Sequence, residues 1–148
     1  MKPLPTLRTF LQEEGVQGIF IKGDSSIRYF TGFTGGESLL YVDALRAVLI
    51  TDSRYILQAQ QQAPECEILE HQHGLFSVVD QVRPAWRLAL DGDYFSYTEA
   101  TALQKALPKA SFKNVNLVFL RAVKSPEEQR KMFKAAAIAD DAFHELIP

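Results

Sequence analysis

The sequence predicts an α/β fold in which a mixed β-sheet carries helices on both faces, followed by a long C-terminal helix. Apolar strand-like runs alternate with amphipathic runs of about ten residues, which is typical of layered α/β domains. The apolar runs 39–42 and 47–51 are separated only by Asp43-Ala44-Leu45-Arg46 and predict an antiparallel hairpin, so the sheet should be mixed. With 148 residues, of which 47% are hydrophobic and 23% charged, the chain resembles a globular domain rather than a disordered or fibrous protein.

The first half of the chain begins with a helix and a buried strand. Leu7, Phe10 and Leu11 share one face of the first predicted helix. Asp24 or Ser25 is expected to cap the second helix, because short polar side chains accept hydrogen bonds from free helical N–H groups. The elements expected in this half are helix 6–14, strand 16–22, helix 25–33, strands 39–42 and 47–51, and helix 54–63.

The second half continues the alternation of strands and helices. Asp52 or Ser53 is expected to cap helix 54–63. Thr98 and Glu99 indicate the start of a later helix, and Pro108 indicates its end. The further elements expected are strand 67–70, helix 75–82, strand 86–91, helix 98–107 and an extended segment over 111–120.

The last segment predicts one long helix. Ser125 and Glu128 form a capping-box pattern, with Pro126 at the first helical position. Apolar residues then recur at spacings of three and four and predict a helix of about 20 residues with one apolar seam, formed by Met132, Ala136, Ala139, Phe143 and Leu146. We expect a further domain to cover this seam.

Composition argues against several classes of partner. Lys and Arg number 16 against 18 Asp and Glu, so the formal net charge of -2 gives no basic surplus for a nucleic acid. No apolar run approaches the length that a membrane-spanning helix needs, and the N-terminus lacks the apolar core of a signal peptide. Cys66 is the only cysteine and cannot form an internal disulfide, which favours a reducing, cytoplasmic location.

Few residues suggest a catalytic or metal-binding site. His71 and His73 would lie on the same side of an extended segment, but a metal site needs further ligands, and a solvent-exposed loop pair is favoured. Cys66 lies between Glu65 and Glu67, which should raise its thiol pKa, so a half-buried strand residue is favoured over a nucleophile. We therefore expect no catalytic, cofactor-binding or metal-binding residue here.

Three stretches together resemble one known family. Residues 25–33 (Ser-Ser-Ile-Arg-Tyr-Phe-Thr-Gly-Phe) resemble the N-I-R-Y-L-T-G-F signature of the creatinase/prolidase/aminopeptidase P group, with Ser26 where that signature usually has Asn. Residues 49–55 (Leu-Ile-Thr-Asp-Ser-Arg-Tyr) resemble its L-I-T-D-x-R-Y segment. Residues 120–128 and 135–140 resemble its R-x-x-K-S-x-x-E junction and A-x-x-I-A-D helix.

The resemblance implies a domain arrangement and a function. Residues 1–121 would form a creatinase-type N-terminal domain, and residues 122–148 a linker and the first helix of a pita-bread metallopeptidase domain. In such enzymes the second domain binds two divalent ions, Mn or Co, and hydrolyses bonds involving proline in short peptides. This chain would then be a non-catalytic domain of a cytoplasmic Xaa-Pro peptidase, of aminopeptidase P or prolidase type, that supports a homodimer, contacts its own catalytic domain and restricts access to the active site.

The same stretches suggest an interface. Arg28 should face outward from its short helix, and Arg and Tyr are enriched at protein interfaces. Gly35 and Gly36 would allow close approach of another backbone. We expect a self-association face containing Arg28, Tyr29, Gly35, Gly36 and Glu37, although Tyr29 packing beneath the loop would explain the pattern equally well.

An alternative interpretation is a stand-alone α/β binding module, most concretely a receiver-like signalling domain. Asp52 at a strand end would then be the phosphoacceptor. Asp52, Arg54 and Tyr55 are expected at the carboxyl edge of the sheet, where open α/β folds bind ligands, though capping and packing would also account for them. Receivers need an acidic pair after the first strand, where this sequence has Lys-Gly-Asp at 22–24.

Overall fold

The computed structural model describes residues 3–82 and 84–147. Within them, residues 3–117 form one compact unit and residues 118–147 a second. The first unit contains β1 (Gly18–Ile21), β2 (Leu39–Asp43), β3 (Ala47–Thr51), β4 (Glu67–Glu70), β5 (Arg87–Asp91), β6 (Ser111–Val115), α1 (Pro3–Glu13), α2 (Asp24–Thr31), α3 (Ile56–Gln62) and α4 (Tyr97–Ala106). The second contains α5 (Val118–Ala122) and α6 (Pro126–Leu146).

The six strands form one mixed sheet in the order β4-β3-β2-β1-β5-β6. β2 pairs antiparallel with β1 and β3, which confirms the predicted hairpin, and the other pairs are parallel. Parallel strands end at one edge of the sheet, so the segments that follow β3, β4 and β5 lie at the same edge. That edge carries the candidate site.

The sheet is covered on both faces, as predicted. On one face Phe20, Tyr41 and Leu88 form a buried cluster with Val79 and with Leu103 of α4. Neighbouring residues on a strand point to opposite faces. Ile19 and Ile21 therefore point to the other face, where the buried residues of α1 and α2 pack, namely Leu4, Leu7, Phe10, Leu11, Ser26, Ile27 and Phe30. The predicted apolar face of the first helix is thus confirmed.

The N-cap residues predicted for α2 and α3 are wrong. The N-cap of α2 is Gly23 and that of α3 is Tyr55, and neither makes a side-chain capping bond. Asp52 instead accepts the N–H of Arg54 in a tight turn, which delays the start of α3 to Ile56.

Two elements of the second half also differ from the prediction. Segment 75–82 contains only a 3₁₀ helix, Leu75–Val78, followed by turns. Its valines are β-branched and disfavour a longer helix, and the Ser77 hydroxyl donates to the Gly74 carbonyl at 2.7 Å. The predicted extended segment ends at Val115, since Asn116 bonds the Asp93 carboxylate at 2.8 Å, and α5 follows.

The start of α4 lies earlier than predicted. Ser96, and not Thr98 or Glu99, is its N-cap. The Ser96 hydroxyl accepts the Glu99 N–H at 3.2 Å, and the Glu99 carboxylate accepts the Ser96 N–H at 2.9 Å. Glu99 therefore takes part as the third helical residue of a capping box.

The second unit contains the predicted long helix. Ser125 accepts the Glu128 N–H at 3.3 Å, and Glu128 accepts the Ser125 N–H at 2.8 Å, which confirms the capping box. α6 runs for 21 residues, and none of them is buried. Across residues 3–82 and 84–147, no helix has the length and apolar character needed to span a bilayer.

Candidate functional site

The candidate site is formed by two segments, the Gly35 loop (residues 32–38) and the Asp52 turn (residues 52–55). The loop begins where α2 ends. Gly32 adopts a left-handed conformation with φ of 83°, and its N–H donates to the Arg28 carbonyl at 2.8 Å. The Thr31 hydroxyl accepts the N–H of Phe33 at 3.1 Å. These bonds turn the chain sharply away from α2.

Aromatic packing fixes the middle of the loop. The Phe33 ring is buried and meets the Tyr55 ring edge to face, with centroids 6.2 Å apart. Gly35 is buried against both rings. A Cβ at Gly35 would overlap the Phe33 ring and lie 2.9 Å from Tyr55 Cδ1. The glycine is therefore required by close packing within the domain, a role that the sequence analysis did not assign to it.

Asp52 and Arg54 form the charged part of the site. Arg54 Nε donates to Asp52 Oδ1 at 3.0 Å, and Nη2 donates to Oδ2 at 2.7 Å. These bonds hold the pKa of Asp52 below its usual value and raise that of Arg54, with a smaller contribution to Arg54 from Glu37. The guanidinium carbon also lies 5.4 Å from the Tyr55 ring centroid. Both Asp52 oxygens are thus engaged, which does not suit a phosphoacceptor.

A polar network joins the loop to α3. The Gln62 Oε1 atom accepts the Thr34 N–H at 2.9 Å and its hydroxyl at 3.1 Å. Gln58 Nε2 donates to the Thr34 hydroxyl at 3.0 Å and to Gln62 Oε1 at 3.2 Å. The network therefore holds Thr34, near the start of the Gly35 loop, against α3. Thr34 lies 24 residues from Gln58 and 28 residues from Gln62, and no sequence pattern indicates these contacts.

The predicted interface residues occupy different environments. Arg28 is exposed on α2, and Glu37 is exposed with φ of 52°, which is uncommon for a residue other than glycine. Gly36 is half-buried, and a Cβ there would meet no atom within 4 Å. Tyr29 is half-buried, its ring edge to face with Phe30 at 5.2 Å. Arg28 and Glu37 therefore present charge to solvent, while Tyr29 also packs within the domain.

Ser26 has a specific buried partner. Its hydroxyl donates to Asp91 Oδ2 at 3.1 Å, and both residues are almost fully buried. The bond joins α2 to the end of β5 across 65 residues of sequence. Ser26 stands at the signature's usual Asn position, and the structure assigns this position a structural polar contact.

The remaining candidates do not assemble a reactive centre. His71 Nδ1 accepts the Gly74 N–H at 3.2 Å, and His73 is exposed. Cys66 lies one residue before β4. Burial and the nearby charge of Glu65 raise the pKa of its thiol to about 11. In the part of the chain that the structure describes, no three His, Cys, Asp or Glu side chains are placed to hold a metal ion. The residues present therefore do not fit a dinuclear metal site.

Comparison with known proteins identifies the family to which this domain is related. The sequence model of the creatinase/prolidase N-terminal domain matches residues 3–122. The chain belongs to that family. A peptidase of Bacillus subtilis, "Uncharacterized peptidase YqhT", is 33% identical over 153 aligned residues, covering 97% of this chain and 42% of the relative.

Two solved structures share the fold over nearly the whole of this chain. The Xaa-Pro dipeptidase from Bacillus anthracis is 33% identical with a TM-score of 0.89, covering 99% of this chain and 42% of that chain. The X-Pro aminopeptidase from Thermotoga maritima is 27% identical with a TM-score of 0.84, and the match covers 95% of this chain and 42% of that chain. The chain thus corresponds to an N-terminal domain and spans about two fifths of these relatives.

Proposed function

We propose that this creatinase-type domain is the non-catalytic N-terminal domain of an Xaa-Pro peptidase, of dipeptidase or aminopeptidase type. The observation that carries the proposal is the family match over residues 3–122, together with relatives named for Xaa-Pro peptidase activity. The absence of a metal-binding group among residues 3–82 and 84–147 supports a non-catalytic role.

The proposed domain division assigns residues 1–121 to the creatinase-type domain and residues 122–148 to a linker and the first helix of the catalytic domain. The family match ends at residue 122, and the capping box at Ser125 begins a new helix. Several apolar side chains of this helix are more than half exposed, including Phe133 at 74% and Phe143 at 62%. A following catalytic domain would cover such side chains.

The whole enzyme is proposed to hydrolyse bonds involving proline in short peptides, using two divalent metal ions, Mn or Co, bound outside this domain. The proposed location is the cytoplasm, since a single cysteine offers no internal disulfide. The composition favours neither a nucleic acid nor a membrane as a partner.

The contribution of this domain is proposed to be dimerisation and restriction of the active-site mouth. The proposed contact face contains Arg28, Tyr29, Gly36 and Glu37, and the buried Gly35 holds the loop against Phe33 and Tyr55. Arg28 and Glu37 supply exposed charges of opposite sign, and the open space at Gly36 leaves room for another backbone. The Thr34 network and the Phe33–Tyr55 packing hold the loop in one shape, which lowers the entropy lost on association.

Charge reversal at Arg28 tests the face. Arg28→Glu should weaken self-association about twofold to fivefold. A charge at the rim of an interface contributes a few tenths of a kcal/mol to about 1 kcal/mol. Sedimentation equilibrium over a range of concentrations measures this. Lys105→Glu, at an exposed position on α4, is the matched control and should associate like the wild type. A wild type that stays monomeric, or equal association of all three proteins, contradicts the proposed face.

A further inference from the structure

A second surface feature lies at the opposite edge of the sheet, where β5 and β6 begin. It is a groove of about 280 Å³ between the segment before β5 and the connection from α4 to β6. We name it the Trp86 groove. Its lining is Pro84, Ala85, Trp86 and residues 106–110.

Trp86 lines this groove and is unusually exposed for a tryptophan. Its side chain is 63% exposed, although burying a large aromatic ring is among the more favourable contributions to folding. The ring is not free, since Lys109 Nζ lies 5.7 Å from its centroid. An exposed indole beside a lysine amine provides an apolar surface and a positive charge within one small space.

Hydrogen bonds to the backbone hold the walls of the groove. The Trp86 carbonyl accepts the Ser111 N–H at 2.7 Å and its hydroxyl at 3.3 Å. The Ala85 N–H donates to the Tyr41 hydroxyl at 3.3 Å. On the other side, Gln104 Nε2 donates to the Leu107 carbonyl at 3.4 Å and to the Ala110 carbonyl at 3.0 Å. Both walls are therefore preorganised, so a ligand would not have to order them.

The charge of the lining favours an anionic ligand. Among the described residues that line the groove, Lys109 carries a charge and none has a carboxylate side chain. The rest of the lining is alanine, proline, leucine and tryptophan. An anion attached directly to a compact apolar group matches this arrangement, since the apolar group covers the indole while the anion meets the amine. The end of a peptide chain with an apolar last residue has that chemistry.

We propose that the Trp86 groove binds the C-terminal end of a short peptide, with an apolar last residue against Trp86 and its free carboxylate paired with Lys109. The site is separate from the Gly35 loop, and it extends the function of the domain to peptide capture. It is independent of the proposed dimer face.

The single tryptophan makes the test direct, because all tryptophan emission comes from this groove. The probe is the peptide N-acetyl-Leu-Pro, with its C-terminal amide as the uncharged counterpart. The acid should change the emission saturably, and the amide should bind about twofold to fivefold more weakly, as expected for one solvent-accessible charge pair. High salt should reduce this difference.

Two variants separate the proposed contact from general effects. Lys109→Ala should weaken binding of the acid twofold to fivefold and remove the difference between acid and amide. Lys105→Ala, four residues earlier in sequence at an exposed position of α4, should bind both peptides like the wild type. Both side chains are exposed, and circular dichroism would verify that both variants fold.

Several results would overturn the proposal. These are an unsaturable or absent emission change, equal dissociation constants for acid and amide, or equal effects of the two lysine variants. A change of emission with protein concentration in the absence of peptide would show that a second copy occupies the groove, and this also overturns the proposal.

Discussion

At the residue scale, Gly35 and Gly36 are adjacent but have different physical roles. A Cβ at Gly35 would overlap the Phe33 ring, whereas a Cβ at Gly36 would meet nothing within 4 Å. Neither has a φ in the left-handed region. Contact with the two aromatic rings therefore accounts for the first glycine, and open space leaves the second available to a partner.

This difference predicts unequal effects of two matched substitutions. Gly35→Ala should lower the free energy of unfolding by about 1–3 kcal/mol, because overpacking forces the Phe33 ring to move. Gly36→Ala should change it by less than about 0.5 kcal/mol. Urea denaturation measures both. Equal losses of stability would show that the rings do not determine the requirement for glycine.

Tyr41 predicts a dependence of stability on alkaline pH. Burial raises the pKa of Tyr41 to about 12, above its ordinary value of 10.0. The folded state therefore favours the protonated phenol. The resulting contribution to stability is complete below pH 10 and is lost as the pH rises from about 10 to about 12.

Tyr41→Phe isolates that contribution. The variant should be less stable than the wild type by about 1 kcal/mol at neutral pH, because the Ala85 N–H loses its acceptor. Between pH 10 and 12 the wild type should lose stability more steeply, so the two curves approach each other. Urea denaturation at several pH values measures the slopes. Parallel slopes would contradict the assignment to Tyr41.

At the element scale, Ser96 defines the start of α4. Ser96→Ala should lower the free energy of unfolding by about 0.5–2 kcal/mol, because the Glu99 N–H loses its acceptor. Thr98→Ala is the control, since Thr98 is exposed within the first turn. It should change stability by less than about 0.5 kcal/mol. If the Thr98 variant were the more damaging, the helix would start where the sequence pattern alone placed it.

Elements with strong periodicity were predictable from sequence, and elements fixed by distant contacts were not. The β2–β3 hairpin and α6 are predictable because two apolar runs joined by a short connection and a capping box are local signals. The buried valines of segment 75–82 fit the face of an α-helix, but only residues 75–78 form a helix, and it is of the 3₁₀ type. The end of β6 depends on the contact between Asn116 and Asp93, which lie 23 residues apart.

The candidate site shows the same limit. Sequence patterns selected the segments that form it, including Asp52, Arg54 and the Gly35 loop. They did not predict that Gln62 would hold Thr34, or that Ser26 would donate to Asp91, because these partners meet only once the sheet is assembled. The groove at Trp86 was missed for the same reason, since its two walls come from separate connections.

At the scale of the whole molecule, the bonding at one edge of the sheet bears on the proposed role of the domain. Part of the carboxyl edge of the sheet, where open α/β folds place ligands, is occupied by bonds within the domain. Asp52 is paired with Arg54, and Thr34 is held by Gln58 and Gln62. These side chains are therefore engaged in contacts within the domain, in agreement with the proposed non-catalytic role.

The most direct test of this account is a peptidase assay of the purified 148-residue chain. The chain is incubated with Mn²⁺ or Co²⁺ and a proline dipeptide, and release of proline is measured, with an established Xaa-Pro dipeptidase as the positive control. The account predicts no metal-dependent release above the background without protein, because a dinuclear centre needs several ligands and the described residues contain no such group. Metal-dependent turnover by the chain alone would contradict it.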